Sequence, residues 1–86
     1  MADFNELTNE VIQIRNNANK LEANIISANK YLEKHTRFIE SVVRGSRTGE
    51  DAAASLRSAI TALNDVRVEV SVIQQKCEEY IRTQES

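Results

Sequence analysis

Residues 4–43 read FNELTNEVIQIRNNANKLEANIISANKYLEKHTRFIESVV. Taken every third and then fourth residue, they give Phe4, Leu7, Val11, Ile14, Ala18, Leu21, Ile25, Ala28, Leu32, His35, Ile39 and Val42. Eleven of these twelve are apolar, His35 being the exception, and the alternation runs over six heptads without a stutter. A 3.5-residue period kept this long marks a helix packed along its length against another helix, because that spacing holds one stripe towards the partner. Asp3, three residues before Glu6, is a candidate N-cap with a capping-box partner. The pattern predicts a helix over about 4–43, roughly 60 Å long at ~1.5 Å per residue.

Helix breakers are confined to one place. The chain has 86 residues, no proline, and two glycines, Gly45 and Gly49. Arg44-Gly45 reads as a helix end: glycine accepts the left-handed conformation after a last turn, and arginine suits the negative end of the dipole. Ser46 and Thr48 are both candidate caps for a second helix, with Glu50 and Asp51 in its first turn. The same period then resumes in Ala52, Leu56, Ala59, Leu63, Val66, Val70, Ile73, Cys77 and Tyr80. The expected turn covers about 44–49 and the second helix about 50–82. So short a connection between two long helices forces them antiparallel. The predicted fold is all-α, one domain over 1–86 built as a two-helix coiled-coil hairpin.

A hairpin has a single internal interface. Ile12, Ile26, Tyr31 and Phe38 fall off the first seam, and Ile60, Val68, Val72 and Ile81 fall off the second. Scattered surface residues are the plain reading of such positions. With only one thin aliphatic seam inside, the hairpin is expected to pair into a four-helix bundle. That expectation assigns partner-binding roles to Tyr31, Phe38, Val68 and Val72, with a homodimer or another helical protein as the partner.

Composition narrows the chemistry. Eleven Lys and Arg are interspersed among thirteen Asp and Glu, for a net charge of −2. The run Arg37, Arg44 and Arg47 is too short for a phosphate track, so nucleic acid is not expected. Apolar runs of two or three residues fall far short of the roughly 20 that span a bilayer, so no membrane insertion is expected. The start Met-Ala-Asp-Phe-Asn-Glu has neither a basic nor an apolar leader region. We therefore expect a cytoplasmic protein, or one secreted by a route that reads no signal peptide. One cysteine, Cys77, excludes an internal disulfide and reads as a small buried side chain. With His35 alone beside it, no structural metal site is expected. Glu78-Glu79 and Glu50-Asp51 read as solvated faces, since catalytic carboxylates need a cleft that a thin hairpin does not offer. No catalytic residue, cofactor site or metal ligand is assigned. His35, set in the seam between Leu32 and Ile39, would be a pH-dependent weak point of packing if buried there.

The segment Gly45-Ser46-Arg47-Thr48-Gly49-Glu50-Asp51-Ala52-Ala53 resembles the central turn of the WXG-type small proteins exported by type VII secretion systems. Those proteins are close to this length, form helical hairpins and place a Trp-x-Gly turn between the helices. Arg47-Thr48-Gly49 occupies that position, with Arg47 where the tryptophan stands. The family's export signal is a tyrosine followed four residues later by an acid. Here Tyr80 has Gln84 at that spacing and its acid at Glu85. The resemblance is architectural over nearly the whole chain and local over nine residues. It implies a divergent relative of the kind encoded beside LXG-type toxins, a targeting or chaperone-like partner for the toxin's helical N-terminal region. The Tyr80–Glu85 stretch would then be a C-terminal targeting region. Heptads alone equally fit a type III secretion needle or needle-chaperone subunit, although needle turns usually carry proline, or a structural coiled-coil adaptor.

Overall fold

A computed structural model describes residues 4–85, without the side chain of Glu85. Two α-helices, α1 (Phe4–Val42) and α2 (Arg47–Glu85), fold back on each other as an antiparallel hairpin 62 Å long. Asp3, the expected first cap, lies outside the described residues.

The reversal takes four residues, Val43 to Ser46, and three of them have a defined task. The Val43 amide donates to the Ile39 carbonyl at 2.9 Å, which closes the last turn of α1. Gly45 takes φ +85°, the left-handed geometry in which a side chain is disfavoured. The Ser46 amide then donates to the Val43 carbonyl at 2.9 Å. Ser46 caps α2: its hydroxyl accepts from the Gly49 amide at 3.3 Å, and its carbonyl accepts the first helical bond from Glu50. Ser46 rather than Thr48 is therefore the cap, and α2 begins about three residues earlier than the charges at Glu50 and Asp51 suggested. Arg47, Thr48 and Gly49 are the first turn of a helix, not the connection between helices. Gly49 is needed there for a different reason. A methyl group at this position would overlap the Val43 side chain, its β-carbon most closely and then its two γ-carbons at 2.6 and 2.8 Å.

Both helices keep the 3.5-residue period, but the buried stripe is rotated from the expected one. On α1 the residues turned towards α2 are Val11, Ala18, Ile25, Leu32 and Ile39, as expected, alternating with Thr8, Arg15, Glu22, Asn29, Thr36 and Val43. The expected alternates stand one residue earlier, and of these Leu7, Ile14, Leu21, His35 and Val42 are exposed, as is Phe4, the first residue of the expected seam. On α2 the pattern repeats. Leu56, Leu63, Val70 and Cys77 face inward, alternating with Ala53, Ile60, Gln74 and Ile81, while Ala52, Ala59, Val66 and Ile73 are exposed. Ala18, Ile25 and Val70 form the buried centre, with Leu63 packed on it. His35 is not a seam residue; it lies exposed with its ring 4.2 Å from that of Tyr31.

Candidate partner-binding face

The rotation decides what the outside of the hairpin looks like. In a heptad, the residues three and four places beyond a seam position lie about 50° to either side of it. Each helix of this hairpin turns the four-place side inward. Because the helices are antiparallel, equal offsets in sequence map to the same side of the plane through the two axes. The two three-place stripes therefore emerge together along one flank. That flank carries Leu7, Ile14, Leu21, Ala28, His35 and Val42 from α1, and Ala52, Ala59, Val66, Ile73 and Tyr80 from α2. Its large aliphatic members remain open to solvent, with Leu21 and Ile73 each 45% exposed and Val66 43%.

The opposite flank carries the half-buried Ile12 and Ile26 but is otherwise mainly polar, and four links among the described residues cross it or run into it from the seam. Arg15 pairs with Glu78 at 3.3 Å and Arg57 with Glu40 at 3.4 Å. Gln74 donates to Asn19 at 2.8 Å, and Asn29 to Asn64 at 2.6 Å. One flank is thus tied by polar side chains, and the other presents hydrocarbon along most of the molecule.

The expected binding residues divide between these surfaces. Tyr31 and Phe38, 64% and 66% exposed, form the outer shoulder of the apolar flank on α1, where Tyr31 leans on His35. Val68 and Val72 are also exposed. By the same geometry Val72 points straight away from α1 and Val68 leans towards the polar flank, so the four do not make one patch. Leu7, Ile14, Leu21, Val66 and Ile73 are surface residues, although the heptad pattern alone places them inside. The signal for them is the polar row Thr8, Arg15, Glu22, Asn29 and Thr36, which turns out to line the seam.

Near the turn, Arg37, Arg44 and Arg57 surround an open groove with Glu40 and Glu50. Arg57 is held by Glu40 and Arg37 by Glu33 at 3.8 Å, so the basic run is partly spent on neighbouring acids. Glu78 and Glu79 are likewise engaged, with Arg15 and with Lys76. Cys77 is buried in the seam. Tyr80 is half-buried on α2, and the side chain of Glu85 lies outside the described residues. Among the described residues no three His, Cys, Asp or Glu side chains are grouped as metal ligands, and no helix is long and apolar enough to cross a membrane. No protein-family model, curated protein or solved structure matches the chain.

Proposed function

We propose that the chain is a helical partner protein whose apolar flank receives helices of another chain and completes a four-helix bundle. The observation behind this reading is the rotated seam. The hairpin turns a row containing Thr8, Arg15, Asn29 and Thr36 towards its seam, burying the last two, and leaves Leu7, Ile14, Leu21, Val66 and Ile73 in water. Contiguous exposed apolar surface of this length is a mark of an interaction site. Amphipathic helices in apolar grooves are an established mode of recognition.

The biological setting comes from the resemblance of the turn segment to WXG-type proteins. On that basis the partner is the helical N-terminal region of an LXG-type toxin, and the chain helps present it to a type VII secretion system. Co-expression with such a region, followed by copurification, tests this reading. Capture by the natural sequence and its loss in Leu21→Glu/Ile73→Glu, with helicity retained, is the expected result. Equal capture by both proteins would remove the apolar flank from the mechanism.

A further inference from the structure

We infer that, without another partner, the apolar flank docks a second copy of this chain with the two turns side by side at one end. The inference rests on the reading of that flank as a docking face and names one occupant for it.

The polar links fix which residues of the two helices stand at the same height: 15 with 78, 19 with 74 and 29 with 64. On this register Val42 is level with Ala52, His35 with Ala59, Tyr31 with Ala62 and Phe38 with Ser55. In the half nearer the turn, then, α1 carries the bulk and α2 carries the small side chains. Further from the turn, Leu21 is level with Ile73 and Ile14 with Tyr80. A two-fold axis parallel to the hairpin lays α1 of each copy on α2 of the other, at equal height and antiparallel. Bulk then meets a small residue at every level near the turn, and aliphatic meets aliphatic or aromatic beyond it. The charges at the rim also fit, because Lys76 and Glu69 come level with the neutral Asn17 and Asn24 of the other copy.

The opposite arrangement, with turns at opposite poles, lays α1 on α1. Tyr31, His35 and Phe38 would then meet the leucine and isoleucine row of the same helix, while the alanines of α2 faced α2. One side would be over-filled and the other under-filled. Area is sufficient for a stable pair. A face up to 62 Å long and 18 Å wide presents roughly 1,100 Å² in projection, against about 800 Å² per partner in a standard interface.

Sedimentation equilibrium of the full chain at about 100 µM is expected to give twice the 9.7 kDa chain mass. Ala59→Trp fills the space required by His35 of the other copy while leaving the hairpin seam untouched. It should raise the dimer dissociation constant tenfold or more with helicity unchanged, and Leu21→Glu should do the same by a separate route if the tryptophan variant folds poorly. A spin label at Arg44→Cys, in a Cys77→Ala background, reports the arrangement. Turn beside turn gives an inter-label distance of about 25 Å, a few helix spacings, whereas opposite poles give one near the 62 Å length. A monomer, a distance near that length, or indifference to both substitutions each overturns the inference. A monomeric chain that still loses toxin-segment capture on Leu21→Glu overturns self-pairing alone. A chain in which that substitution changes neither property sinks both readings.

Discussion

The side-chain amide of Asn29 donates to Oδ1 of Asn64 at 2.6 Å, while the oxygen of the same amide is buried without a hydrogen-bond partner among the described residues. One bond therefore crosses the middle of the hairpin at the expense of one orphaned acceptor. A neutral hydrogen bond contributes about 0.5–1.5 kcal/mol net, and an unsatisfied buried polar atom costs about 1–3 kcal/mol. Asn29→Leu should accordingly raise stability by about 1 kcal/mol, or roughly 4–8 °C in melting temperature for a chain of this size. The bond's contribution is register, as for single buried asparagines in coiled coils. The same variant should show additional amide resonances from slipped pairings. A lower melting temperature with a single set of resonances would mean that the bond outweighs the orphan.

Ile25 and Leu21 lie one helical turn apart with opposite surroundings, 4% and 45% exposed. Ile25→Ala should cost about 2–5 kcal/mol, the range for emptying a packed site. Leu21→Ala should cost less than about 1 kcal/mol in the isolated hairpin. Urea denaturation at high dilution, where association is absent, makes the comparison. Equal losses would return Leu21 to the seam.

Helix propensity favours alanine over glycine by about 1 kcal/mol in a helix interior. Gly49 lies within α2, yet Gly49→Ala should destabilise by about 1–3 kcal/mol, because the added methyl overlaps Val43. Adding Val43→Ala should recover little of that loss, because alanine keeps the β-carbon nearest the added methyl, whereas adding Val43→Gly should recover most of it. Gly45→Ala should also destabilise, through its φ of +85° and not through contact, since nothing lies within 4 Å of the added carbon. Val43→Gly should therefore not rescue it. Thermal melting of these variants separates the two mechanisms.

The ion pair of Arg15 and Glu78 joins side chains that are 27% and 48% exposed. Glu78→Gln should change stability by less than about 1 kcal/mol, since solvent screens such pairs. The difference should shrink further when denaturation is repeated in 1 M salt, where the Debye length is about 3 Å. A loss several times larger would mean that the polar flank holds the hairpin together.

The two-helix architecture was legible because the period and the glycines are local signals: a stripe over six heptads and breakers confined to Gly45 and Gly49. Which half of the stripe the hairpin covers was not legible. Periodicity shows that Ala18, Leu21 and Ile25 share a side of α1, but the angular position of α2 depends on the reversal. There Gly45 and the Ser46 cap set where the returning helix begins. A one-place difference in the alternate row exchanges Leu21 for Glu22 and Ile73 for Gln74 at the interface. The candidate face was half legible for the same reason. Tyr31 and Phe38 stood out as residues the seam did not use, whereas Leu7, Ile14, Val66 and Ile73 were assigned to the interior by their own regularity.

The register also sets an order of events in time. Every step away from the four-residue reversal lengthens by two residues the loop that the next pair must close, from the Glu40–Arg57 pair to the Arg15–Glu78 pair. Loop-closure entropy grows with that length, so pairing starts most readily beside the turn and advances towards the termini like a zip fastener. Most contacts of the two helices are nonetheless local, and chains rich in local contacts fold fast. Unfolding runs in the reverse direction. Amide exchange should therefore grade smoothly along both helices, fastest beside Phe4 and the end of α2 and slowest towards the reversal, with no boundary between cooperative blocks.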